Sequence, residues 1–491
     1  MIHRQTKKNN RLCNCILWSL ILCILILGGC SQTADKSDQG TEEVVEGPVS
    51  PSVPGSEVSP SVPRSEIEVP EGRTLVVIGA WSEDFKLEKA VVNFNKENTD
   101  YWVYVMYYGG EGARHGTGSP EGKAARRRMQ IELTTGNNCP DMIELESILL
   151  PVNELAQQGY LEDLTPYLEK STVLDREDFL DTVISAYTMG DKLVALPLYF
   201  KLDCLIARQS QVQQFESWTL QDLLDYAKEY PDALLIEGDS LYNCLELLSL
   251  YEEPFVTVEN GHYSVNREQI EEFLLLVNRC NEIQLPEFSY TPDKYLSNHV
   301  LLRHIWVNDF YELQYGNALM EGDVSNIGFP SEDGKGIKLS GEYTYGIPLH
   351  SVEKDGAWTF LEYYIQNTGV TEGLFSVKKA DYEQLKEIQL AHEGFFPDEN
   401  GVLVDSTGNA HKTRGEGEWS FSYKEVTQTD IATVEELIAH AGHPFMDIGY
   451  TAPWMDIFND EIPAYLNGDK TLKETMDIIV SRYQLFINER H

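Results

Sequence analysis

The sequence predicts an α/β fold, and two observations carry that expectation. From residue 74 onward, short β-rich runs alternate with segments of helical periodicity. Hydrophobic residues make up 42% of the 491-residue chain, enough to bury a real core in two or more domains. The alternation begins with "TLVVIGAW" (74–81), a strand. "EDFKLEKAVVNFNKEN" (83–98) follows, with Phe85, Ala90, Val91 and Phe94 expected on one helical face. "YWVYVMYY" (101–108) reads as a second strand. After it comes a glycine-rich loop (109–122) without the GK[ST] ending of a phosphate loop. "KAARRRMQIELTTG" is a basic helix and "PDMIELES" (140–147) a third strand. Such alternation predicts a mostly parallel sheet.

Further along, "DKLVALPLYFKLDCLIAR" (191–208) is a long β-like stretch that Pro197 should break. "SWTLQDLLDYAKEY" (217–230) is a helix with Thr219 as its cap. Residues 268–282 form another helix, 322–336 a strand running into a loop, and 355–365 an amphipathic helix. The chain closes with two helices joined by Asn467-Gly468-Asp469.

The first seventy residues have a different character. Arg4, Lys7, Lys8 and Arg11 precede an apolar run, Cys15 to Leu27, that is too short to span a membrane. Leu27-Gly28-Gly29-Cys30 resembles a bacterial lipobox, which implies cleavage after residue 29 and a lipid on the Cys30 sulfur. Residues 30–72 then form a Pro/Ser/Glu-rich tether containing a nine-residue repeat, SPSVPGSEV and SPSVPRSEI. Its low apolar content predicts disorder.

The net charge of −41 argues against nucleic-acid binding through phosphate neutralisation. Cys139, Cys204, Cys244 and Cys280 of the body show no CxxC pair, so zinc is not expected; disulfides and free buried thiols both remain open.

Four stretches in order resemble the extracellular solute-binding proteins of carbohydrate ABC transporters, the group that includes maltose-binding protein. They are "PDMIELES…VNELAQQGYLEDLTPYL", "GDKLVALPLYFKLDCLIAR", "SWTLQDLLDYAK" and "IPAYLNGDKTLKETMDIIVSRYQLFINER". Ile206-Ala207-Arg208 departs from the group's usual Tyr-Asn-Lys, and residues 392–428 are a polar excursion. The resemblance implies a two-lobe periplasmic-binding-protein type II-like fold with a ligand cleft and a multi-strand hinge. One lobe would comprise 73–200 and 327–370, the other 201–326 and 371–491. The chain would cross between them near Pro197, near Pro330 and after Ile365. It further implies a monomer without a cofactor that binds a carbohydrate, performs no chemistry, and delivers its ligand to an ABC permease at the membrane.

Candidate ligand contacts follow. Trp81, Ser82 and Glu83 match the loop that reaches the ligand in that group. Glu144 and Glu146, two residues apart, share one face of a strand. Tyr199 and Lys201 follow Pro197 at the crossover. Trp454 resembles a stacking aromatic, and Trp306 with Asp309 forms a further pair. The same fold would also serve a sensor, or a binder of peptides or polyamines. A glycosidase needs two carboxylates flanking a bond, which Glu144 and Glu146 do not provide. His440 and His443 have i,i+3 rather than i,i+4 spacing, which argues against zinc. Asp398-Glu399-Asn400-Gly401 lacks the further acids of a calcium loop.

Overall fold

The computed structural model describes residues 63–109, 119–145, 150, 152–213, 218–238, 240–371, 373–416, 419–442 and 453–491. All belong to the unit that starts at Val58. The lipobox with Cys30, the repeat, Glu146 and His443 lie outside the described residues.

Ten strands form one sheet. They are β1 (Thr74–Ala80), β2 (Tyr101–Tyr107), β3 (Met142–Glu144), β4 (Leu196–Arg208), β5 (Leu234–Ile236), β6 (Val300–Val307), β7 (Val324–Ile327), β8 (Ile337–Gly346), β9 (Phe375–Ser376) and β10 (Ala441–Gly442). The main path runs β2-β1-β3-β8-β4-β6-β5, with β7 and β9 on β4 and β10 on β8. The sheet is mixed, not mostly parallel. β1 runs parallel to β2 and β3, and β6 parallel to β5. The long strands β4 and β8 lie antiparallel to each other, and β8 runs antiparallel to β3. Because β4 also pairs antiparallel with β6 and β7, the two strand groups are joined through it.

Pro197 does not break β4. It is the second residue of the strand, close to its start, and pairs with Thr344 of β8. Alternate residues Leu198, Phe200, Leu202, Cys204 and Ile206 are buried on one face of β4. Burial of each large apolar side chain stabilises by about 1.5–3 kcal/mol at most. Opposite Phe200 lies Gly341 of β8. A β-carbon there would collide with the Tyr187 hydroxyl and come 2.9 Å from Pro197 Cβ, so the close approach requires glycine.

The helices are set by their caps. Asp84 caps α1 (Phe85–Glu97), accepting from the N–H groups of Lys86 and Leu87 at 2.8 and 2.9 Å. The buried stripe of α1 is Leu87, Ala90 and Phe94, so the expected face is shifted. Phe85, at the first helical position, points outward at 78% exposure, and Val91 is half-buried. Thr219 caps the Leu220–Glu229 helix with a full capping box, as its spacing predicts. Gly468, at φ 77°, turns the chain between the last two helices. Asp398 accepts from the N–H groups of Asn400 and Val402 at 2.8 and 2.9 Å, which makes that segment a tight turn. The four body cysteines are buried, and none of them is in a disulfide. No described helix is long and apolar enough to cross a membrane.

The body begins earlier than residue 73. Arg64 donates to Asp141 at 2.7 Å and to the Leu75 carbonyl at 3.2 Å, while Ile67 packs on the core. Asp141 is fully buried and also accepts from Val77 N–H (2.8 Å), the Ser351 hydroxyl (3.0 Å) and Glu353 N–H (3.1 Å). Asp141→Ala leaves several of these donors without a partner in the interior. Urea unfolding is expected to show a loss of about 3 kcal/mol. A loss under about 0.5 kcal/mol, the size of an ordinary surface change, would contradict this account of Asp141.

Candidate ligand wall

The candidate site grows out of the period-2 alternation of β4. Tyr199, Lys201 and Asp203 occupy the face opposite the apolar one. In register with them lie Glu342, Ser340 and Lys338 of β8, and Trp306 of β6 faces Asp203. One face of the central strands therefore carries a polar and aromatic patch.

At the heart of the patch, Lys201 pairs with Glu342 at 2.5 Å, and its ammonium lies 5.9 Å from the Trp306 ring centre. The Trp306 ring is 47% exposed, whereas the other tryptophans among the described residues are buried or half-buried. The His304 ring supports it, with centroids 4.8 Å apart. His304 sits between two buried carboxylates, Glu246 at 3.3 Å and Asp203 at 3.6 Å. Beneath them Asp203 accepts from the Ser340 hydroxyl. Burial pushes the Asp203 carboxyl up. The His304 ring, the Lys338 ammonium and Ser340 outweigh that and hold it below its usual value. Lys338 is also buried, with Ser249 at 3.3 Å and the Phe329 ring at 3.7 Å.

Toward β1 the patch continues through Lys86 of α1. Its ammonium stands 4.6 Å from the Tyr199 ring centre and 5.1 Å from that of Tyr343. Desolvation lowers its pKa, against the opposing pull of Asp84 and Glu342. Tyr343 has φ 56°, and its hydroxyl donates to Asp84 at 3.4 Å. Burial and the Asp84 charge push this phenol up to about 12. The Tyr199 hydroxyl donates to the Gly369 carbonyl at 3.0 Å and accepts from Thr371 at 3.1 Å, which fixes its ring.

Of the sequence candidates, Tyr199, Lys201 and Trp306 come together on this face. Glu144 and Trp81 meet at its margin: Glu144 is buried and accepts from the Trp81 N–H at 3.2 Å, tying the end of β1 to β3. The Trp81 ring is buried too, so its exposure falls short of the expected contact role. Ser82 is half-buried, and Glu83 is exposed with its charge acting on the Tyr107 phenol. Asp309 and Trp454 are not on the wall. Asp309 is buried and pairs with Lys412 at 2.7 Å. Trp454 is fully buried, donates its indole N–H to the Tyr251 carbonyl at 3.2 Å, and packs edge-on against Phe458 at 5.6 Å.

Sequence reasoning passed over Lys86, Glu342, Tyr343, His304 and Asp203. Two of these had a signal. Lys86 lies in the first turn of α1, where the helix dipole disfavours a cation. Asp203 continues the alternation Tyr199, Lys201 in an otherwise apolar strand.

No protein-family model and no curated protein matches the chain. Solved structures similar to it include the sugar-binding protein MalE of Xanthomonas citri, at 13% identity, covering 85% of this chain and 98% of that one, TM-score 0.45. The maltose-bound MalE3 of T. maritima is 14% identical, covering 84% and 100%, TM-score 0.43. An extracellular solute-binding protein family 1 member from Alicyclobacillus acidocaldarius is 12% identical, covering 85% and 99%, TM-score 0.42.

Proposed function

We propose that this face is the ligand wall of a lipid-anchored, extracellular solute-binding protein that takes a carbohydrate and passes it to an ABC permease. The observation that carries the reading is the exposed Trp306 ring flanked by the Lys201–Glu342 pair on the strands that join the two halves of the sheet. A flat aromatic face covers the C–H side of a sugar. An ammonium and a carboxylate that already neutralise each other offer donors and acceptors to hydroxyls without requiring a charged ligand. Lys86 on the same wall opposes a polyamine there. The four ordered sequence resemblances support the two-lobe reading, in which β4 and β8 act as the hinge and closure is a population shift. Leu27-Gly28-Gly29-Cys30 supports the anchor. The wall residues bind and orient; no step of bond chemistry is assigned to them.

A thermal-shift screen of the full chain over neutral oligosaccharides, followed by calorimetry on the best hit, tests the reading. Trp306→Ala is expected to weaken that ligand at least about tenfold, equivalent to about 1.4 kcal/mol. The melting temperature of the free protein should hardly change, because the ring is exposed. If no oligosaccharide stabilises the chain, or Trp306→Ala binds as tightly as the parent, the carbohydrate reading fails.

A further inference from the structure

A second cavity, of about 680 Å³, shares no lining residue with this wall and lies between the Lys379–Ala391 helix and the start of the polar excursion. That volume suits a small molecule. The Lys379–Ala391 helix ends at His392, whose φ of 48° turns the chain back across it. Phe395 then meets the His411 ring at 4.2 Å, and the Tyr311 hydroxyl lies 3.2 Å from His392 Nδ1.

The two sides of the cavity differ in charge. At the back, Lys412 pairs with Asp309 (2.7 Å) and Glu312 (3.1 Å), and Arg414 pairs with Glu312 (2.6 Å). Two cations and two carboxylates cancel there, and they pin the excursion to the body. Burial, with His411 nearby, lowers the His392 pKa against the pull of Glu425. At the mouth stand Glu387 and Glu393, both exposed and, among the described residues, without a cationic partner. Between back and mouth lie the apolar surfaces of Phe395 and Ile388, the latter 44% exposed. The cavity thus combines an apolar, aromatic wall with uncompensated negative charge at one end.

We propose that this cavity is a second ligand site, for a small organic amine whose ammonium lies at Glu387 and Glu393 and whose apolar body rests on Phe395, His411 and Ile388. Aromatic rings and carboxylates both favour a cation over a neutral molecule of equal shape. The site is independent of the carbohydrate wall, where lysines face the ligand.

Calorimetry on the full chain with phenethylamine and its neutral counterpart 2-phenylethanol tests this. The amine is expected to bind at least about tenfold tighter than the alcohol. Glu387→Gln with Glu393→Gln should erase that difference, and Phe395→Ala should weaken both ligands. Trp306→Ala should leave amine binding unchanged. Both glutamates are exposed, so their variants fold. The proposal is overturned by the absence of saturable heat at millimolar amine, by equal affinity for the alcohol, or by loss of amine binding in Trp306→Ala.

Discussion

Asp203→Ala is expected to lower the unfolding free energy by about 3–5 kcal/mol, because it strands a buried charge. Lys338 is the register partner of Asp203 on β8 and is almost fully buried. Removing the carboxylate takes away the Ser340 acceptor and the negative charge that faces Lys338 and His304. Replacing both charges by apolar groups, Asp203→Leu with Lys338→Met, should recover most of the loss, since desolvating an ion pair offsets much of its attraction. Urea titration of the two variants measures this. A single variant as stable as the parent would remove the cluster as an organising feature of the wall. The pH dependence has a fixed sign. The folded Asp203 pKa lies below its unfolded value of 3.8. Its contribution is therefore fully present above the ordinary carboxylate range and is lost as pH falls below about 3.8 through the folded value. The parent should lose more stability than Asp203→Ala between pH 7 and pH 3.

Trp454→Ala is expected to cost about 3–5 kcal/mol of stability, the usual range for emptying a large aromatic site in a core. The ring is enclosed by Phe255 and Phe458, and its N–H has a buried carbonyl acceptor in Tyr251. Its loss leaves both a cavity and an unpaired carbonyl. Ligand affinity per folded molecule should be unchanged. The stacking role suggested by the sequence predicts the reverse, weakened affinity at nearly constant melting temperature. Calorimetry beside urea unfolding separates the two.

The difference between Trp454 and Trp306 shows what the sequence can convey. Both are tryptophans that the sequence offers as ligand contacts, Trp454 ahead of Trp306. Exposure depends on partners about 200 residues away: Tyr251 closes over Trp454, whereas among the described residues no element covers Trp306. Long-range closure of that kind leaves no trace in periodicity. The helix start at Thr219 was legible because a cap acts locally, as its capping box shows. The strand β4 was legible as a β-like stretch, although Tyr199 and Lys201 were singled out for their place after Pro197 and not for the alternation that puts them on one face. The antiparallel course of β8 was not, since direction is decided by the connections on either side. In α1 Ala90 and Phe94 were placed correctly, whereas Phe85 was not, because it is apolar yet sits in the first turn, ahead of the packed rows.

The Arg64–Asp141 pair bears on how the body would carry mechanical load. Any pull on the chain ahead of Pro63 reaches Arg64 before it reaches β1. The guanidinium passes it to a carboxylate that is itself held by Val77 of β1 and by Ser351 and Glu353. Tension is thus shared among three separate segments of the fold and spread over several hydrogen bonds in parallel. The outermost turn of chain serves as a strain relief, sparing the first strand from being peeled away alone.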